Sequence, residues 1–157
     1  TDPKHISDYL LKNNVVHQQI LEMISRGNMP QCFKDIIEIG SNSTSLHPLI
    51  IYWCKELLKL VMDESIDEFK LCISCEILSS IFKYESFLFG KTGNEIKDII
   101  KTKVKDILDI CLVKSPNTRS TELLGLVLNI ICKNEDDDDD IPVFVDIIAD
   151  VTDKIEL

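Results

Sequence analysis

Cys72-Ile73-Ser74-Cys75 has the spacing most suggestive of chemistry in this chain. Two thiols three residues apart act as a redox pair when they open a helix that follows a strand, where the dipole lowers a thiol pKa. This pair falls instead in the middle of an apolar helical pattern. A zinc site would need two more ligands, and no second CxxC or HxxxH supplies them. Core packing is the expected role of both cysteines. His5, His17 and His47 are widely separated and have no nucleophile at a recognisable spacing, so each is expected to be a surface or capping residue. No glycine-rich phosphate loop is present. With no catalytic, metal-ligating or cofactor-binding constellation, the chain is expected not to be an enzyme.

Three groups of side chains suit contact with a partner better than reaction. Asp136, Asp137, Asp138, Asp139 and Asp140 lie in an acidic loop over 133–141. That loop reads either as a solvated connection or as an electrostatic contact for a basic segment of another protein. It lacks the alternating ligands and central Gly of a calcium loop. Lys97, Lys101 and Lys105 recur at four-residue spacing, with Lys103 near them, opposite an apolar stripe. They read as a solvated helix face or as a contact for an acidic peptide or phosphate. Tyr84, Phe87 and Phe89 fall in a short aromatic connection that either caps the core or stands out as an anchor.

The elements that must position these groups are helical. Leu49, Ile50, Trp53, Leu57, Leu60 and Val61 recur every three or four residues, and Ile51, Cys54, Leu58 and Met62 form a second stripe beside them. A second helix is expected from Ser65, where Ser65-Ile66-Asp67-Glu68 has capping-box spacing. Ile66, Phe69, Ile73, Ile77 and Ile81 line one of its sides, and Cys72, Cys75, Leu78 and Phe82 another. Helices apolar on two sides are covered on two sides, so this hairpin is expected at the centre of the fold.

Before it, Asp2-Pro3 opens a helix carrying Ile6, Tyr9, Leu10 and Leu11 that breaks at Asn13-Asn14. A second runs from about Val15 to Ser25 and stops at Gly27. A third starts at Pro30 and ends at Gly40, before a polar loop over 41–45. After the hairpin, Asn94 is expected to cap a helix reaching about Leu112, and a buried helix follows from about Ser120 to Cys132, with Gly125 allowing close approach of a neighbour. Pro142 opens a last one. The expected fold is all-α, about eight helices stacked in pairs.

At 157 residues with a net charge of −10, the chain is long enough for one domain with a real core. The negative charge disfavours nucleic acid and anionic membranes as partners, because phosphate contacts need clustered Lys and Arg. No apolar run is long enough for a membrane span. The six cysteines fall on helical stripes and read as reduced thiols, which places the protein inside the cell, in cytoplasm or nucleus. A chain that opens Thr1-Asp2-Pro3 without Met is expected to be a fragment of a longer protein.

The run from Tyr9 to Val16, followed by Gln19 to Ile24, resembles the armadillo turn into its third helix, a short apolar helix end, an Asn break and an apolar helix. Thr121 to Ile131, with Asn129 near its end, is similar to the long armadillo helix. The likeness covers about half the chain and departs from the family in lacking most of the small residues at helix crossings. An armadillo- or HEAT-like resemblance implies an α-α superhelix that binds a partner protein or peptide without enzymatic activity. The alternative is a compact bundle of Bcl-2-like design that holds an amphipathic helix in a groove.

Overall fold

A computed structural model of the chain describes residues 2–27, 31–132 and 149, and among these it contains seven α-helices and no strand. The protein is all-α. Helices α1 (Pro3–Lys12), α2 (Val15–Arg26) and α3 (Gln31–Asn42) precede the long pair α4 (His47–Val61) and α5 (Glu68–Phe82). Then come α6 (Gly90–Asp109), continued by a π-helical turn over Ile110–Lys114, and α7 (Thr118–Cys132). Short 3-10 turns at Thr44–Leu46 and Glu85–Phe87 lead into α4 and towards α6. The acidic loop and, apart from residue 149, the helix expected from Pro142 lie outside the described residues.

The central hairpin forms where the two apolar stripes require it. In α4, Leu49, Ile50, Ile51, Trp53, Cys54, Leu57, Leu58 and Val61 are all buried, while Leu60 and Met62 are half-buried. In α5 the same holds for Leu71, Ile73, Cys75, Ile77, Leu78, Ile81 and Phe82. Ser74 and Ser79 are buried as well. The Ser74 hydroxyl is accommodated by donating to the Lys70 carbonyl at 2.9 Å, one turn back. α4 packs against α1, α2, α3, α5 and α6, and α5 packs against α2, α4 and α7. Phe33 of α3 lies on Trp53 with ring centroids 4.5 Å apart. The indole is fully buried, and its N–H has no hydrogen-bond partner among the described residues.

Several boundaries differ from the sequence reading, each for a local reason. Ser65 does not cap α5. Its hydroxyl and amide instead donate to Asp63 at 2.7 and 2.9 Å, closing a tight turn and holding the Asp63 carboxyl below its ordinary pKa. Asp67 takes the cap by accepting from the Lys70 amide at 2.8 Å, so the helix starts at Glu68. Phe69 thereby falls in the first turn and is 55% exposed rather than in the core. Its ring covers Gly27, the C-cap of α2, which has φ +74° and leaves no space for a Cβ beneath that ring.

α3 runs past Gly40 to Asn42. Tyr9, Leu10 and Leu11 cannot share one helical side at about 100° per residue, and only Leu10 is buried. Cys32 and Ile39 are likewise exposed. α6 begins at Gly90 rather than at Asn94. α7 begins at Thr118, where Asn117 and Ser120 cap it reciprocally. The Ser120 amide donates to Asn117 Oδ1 at 2.9 Å, and the Asn117 amide donates to Ser120 Oγ at 3.0 Å. Gly125 is exposed, and among the described residues nothing lies within 4 Å of where its Cβ would stand.

The Phe33–Trp53 contact anchors α3 to the hairpin, and removing it tests how far the fold depends on that hairpin. Trp53→Ala is expected to lower the unfolding free energy by about 3–5 kcal/mol, read from urea titrations followed by circular dichroism. Trp53→Phe keeps a ring on Phe33 and removes the unpartnered indole N–H, so its loss is expected to be far smaller.

Candidate functional site

The chain turns tightly between α5 and α6, through the 3-10 turn Glu85–Phe87. Tyr84 is half-buried, and Phe87 is completely buried, packed edge-on against His47 at 5.2 Å and against Tyr84 at 5.9 Å. Phe87 therefore belongs to the core. Phe89, two residues on, is 65% exposed. The chain then reverses into α6 so closely that a Cβ at Gly93 would collide with the Leu88 carbonyl. That glycine permits the close approach that sets Phe89 beside the first turn of α6.

His47 ties this turn to the rest of the protein. It opens α4 and is 8% exposed. Its Nε2 lies 3.0 Å from the Gly40 carbonyl in α3, and its Nδ1 lies 2.7 Å from Thr92 Oγ1 in α6. A carbonyl only accepts, so Nε2 carries the proton of the neutral ring and Nδ1 accepts from the Thr92 hydroxyl. The hydroxyl–imidazole pair resembles part of a nucleophile–base arrangement. Here, however, the far nitrogen donates to a neutral carbonyl and the ring edge rests on Phe87. Each group on the ring serves a junction of three helices. His47 is thus a buried tie, where a surface or capping residue was expected. His17 lies with Nδ1 3.2 Å from the Glu56 carboxylate and links α2 to α4, and His5 is exposed.

Beside His47 a groove of about 780 Å³ opens between the end of α1, the outer side of α4 and the start of α6. Leu11, Pro48, Ile51, Tyr52 and Phe89 give it apolar walls, and Thr92 and His47 form part of its lining. Its charged residues are Lys55, Lys91 and Glu95. A smaller recess of about 230 Å³ lies on the other side of Phe89 and contains Leu88, Lys97 and Ile130. Tyr84 lines a third hollow with Lys34 and Lys83.

The lysine stripe is not one exposed face. Lys97 is buried at 9% exposure, Lys101 is half-buried, and Lys105 is exposed. Each four-residue step overshoots a turn of 3.6 residues by about 40°, so a stripe that begins against the core ends in solvent. Of the expected partner-binding residues, the structure brings Phe89 and Lys97 to one recess, places Tyr84 in another and removes Phe87 to the core. Asp136 to Asp140 lie outside the described residues. Lys55 and Lys91 were missed, because they come from segments far apart in sequence and neither sits in a distinctive local pattern.

Cys32, Cys54, Cys72, Cys75 and Cys111 are free thiols. Burial pushes the Cys54, Cys75 and Cys111 thiols up to about 12. Burial and the nearby Glu68 carboxylate also raise Cys72. The CxxC pair therefore lacks the lowered pKa that redox chemistry needs. Among the described residues no group of three or more His, Cys, Asp or Glu is arranged to hold a metal ion, and no helix is long and apolar enough to cross a membrane. Compared with known protein families, curated proteins and solved structures, the chain matches none.

Two expectations follow from this geometry. Thr92→Val leaves His47 Nδ1 without its donor and is expected to cost about 1–2 kcal/mol of stability. His47→Ala costs more, and the double variant loses less than the sum, because the two residues act through one hydrogen bond. Additive losses in urea titrations would refute the tie. For the thiols, iodoacetamide at pH 8 followed by peptide mass spectrometry is expected to label Cys32 first. Cys54, Cys75 and Cys111 are expected to react only in denaturant. Because folding raises these pKa values above the ordinary 9.0, the protonated thiols favour the folded form below that pH, and stability falls as pH climbs from there towards 12.

Proposed function

We propose that this chain is a non-enzymatic protein-interaction module, an armadillo- or HEAT-like stack of helices that binds a partner protein or peptide. The observation that carries the reading is the order of packing. Among the described residues, every substantial helix–helix interface joins helices no more than three apart in the chain. Helices added in sequence to the previous layer build an open stack whose grooves face solvent. The three recesses around the α5–α6 turn are openings of that kind. The acidic tract Asp136 to Asp140 would supply an edge contact for a basic stretch of the same partner. With reduced cysteines, the module would work in cytoplasm or nucleus.

One observation favours a second reading. α4 is covered by five other helices, as the central helix of a compact bundle would be. A Bcl-2-like bundle gripping an amphipathic helix would share that feature. Small-angle scattering separates the two architectures. A compact 157-residue chain has a radius of gyration of about 15 Å. The stack is expected to exceed that value with a skewed distance distribution, and a symmetric distribution at about 15 Å favours the bundle. Binding itself is tested by affinity capture from native cells followed by reconstitution of each captured protein with the purified chain in calorimetry. At least one direct complex is expected, and failure of every reconstitution would refute an interaction module of either design.

A further inference from the structure

The groove beside His47 carries the opposite charge from the protein around it. The whole chain has a net charge of −10. Among the described residues the groove is lined by Lys55 and Lys91 against one carboxylate, Glu95. Both lysines are exposed, and among the described residues neither forms an ion pair. The N-terminal end of α6 opens at the same rim without a side-chain cap or an acidic residue in its first turn, adding potential of the same sign. Between these charges the walls are apolar. Phe89 and Leu11 stand 65% and 36% exposed at the lips, and Ile51 and Tyr52 lie deeper. An enclosed small-molecule site would bury such lips, whereas an apolar trough with charged edges suits a segment of chain.

Resting on the interaction reading above, we propose that this groove docks a short peptide segment of a partner protein, with a Leu or aromatic side chain lodged between Leu11, Tyr52 and Phe89 and flanking Asp or Glu side chains paired with Lys55 and Lys91. The apolar anchor supplies the buried area, and the acidic residues supply orientation and a faster encounter. A basic peptide meets two exposed lysines and is rejected. The occupant is a different protein rather than a second copy, because two chains of charge −10 repel over the distances that govern encounter. The surface differs in sign from the acidic tract, so the two would engage different parts of one partner.

The test pans a phage-displayed library of random 12-residue peptides on the full 157-residue chain and measures the enriched peptides, synthesised with fluorescein, by anisotropy. Enriched peptides are expected to place Asp or Glu beside Leu, Phe or Trp. Their affinity is expected to fall about tenfold or more in Lys55→Glu/Lys91→Glu and severalfold in Phe89→Ser, to weaken as salt rises, and to be unchanged in Lys4→Glu. All four positions are exposed, so the helical circular dichroism spectrum should be unaltered. Hydrogen exchange of the wild-type chain with bound peptide supplies a reading independent of the variants, with protection expected over 47–55 and 86–95. Enrichment of peptides without acidic residues, or acidic peptides that bind the charge-reversed variant undiminished or protect another surface, would overturn the groove assignment and leave the interaction reading standing. Wild-type self-association that the charge-reversed variant loses would assign the groove to a second copy and overturn the proposed occupant. No enriched peptide at all, together with no reconstituted partner, would overturn both.

Discussion

Two helices that are apolar round most of their circumference cannot rest on a surface, and the rest of this structure follows from that constraint. α4 and α5 both bury residues on opposite sides, Ile51 and Trp53 in one, Ile73 and Cys75 in the other. A helix with a single apolar stripe would be satisfied by one neighbour, but these need cover all round. The remaining helices supply it in chain order. α1, α2 and α3 lie on α4 from the N-terminal side, and α6 and α7 close over the hairpin from the C-terminal side. Phe33 against Trp53 is the tightest aromatic link in the first group. Short connections suffice because each helix has only to reach the layer just built.

Burying so much chain brings polar groups to the helix junctions, and their hydrogen bonds decide how the layers meet. His47 joins α3, α4 and α6 through one ring. Asn117 and Ser120 close the start of α7, and the Asn117 side-chain amide Nδ2 donates to Glu68 Oε1 at 2.9 Å, fixing α7 to the first turn of α5. These bonds stabilise little individually, yet leaving any of them unmade inside the protein is costly. They therefore select one arrangement among several that would bury similar apolar area. The groove beside α6 inherits its shape from this selection, since His47 sets the spacing of α4 and α6 and Gly93 sets where the chain turns.

Periodicity made the helices and most of the core legible, because a stripe at Leu49, Trp53 and Leu57 has one physical solution. Ends were less legible where two residues compete for one role. Ser65 and Asp67 both offer an N-cap to α5, and the choice fell to Asp67 once the Asp63 turn had taken the Ser65 hydroxyl. Consecutive apolar residues such as Tyr9 to Leu11 overstated burial, since rotation along the helix carries two of the three outward. The lysine stripe failed by the same rotation accumulated over eight residues. The candidate groove was not legible at all. His47 and Thr92 are 45 positions apart, and Lys55 meets Lys91 across a groove only because the chain reverses after Phe87. Such juxtapositions belong to the packing, and no local spacing encodes them.

What the packing leaves open has a consistent character. The thiols that a sequence scan notices first are in large part buried and protonated, and the imidazole beside the groove has both nitrogens engaged by the fold. Groups with the greatest intrinsic reactivity are thus held where they stabilise junctions. By contrast, Phe89 and Leu11 remain exposed although apolar, and among the described residues Lys55 and Lys91 remain unpaired in a chain with an excess of carboxylates. Twenty-seven acidic residues to seventeen basic ones leave ample opportunity for internal pairing. Two lysines left facing one carboxylate across an apolar trough therefore form a local exception to the protein's own field. A surface of that kind gains most from a ligand that brings the missing carboxylates and an apolar side chain together, which is a property of peptides.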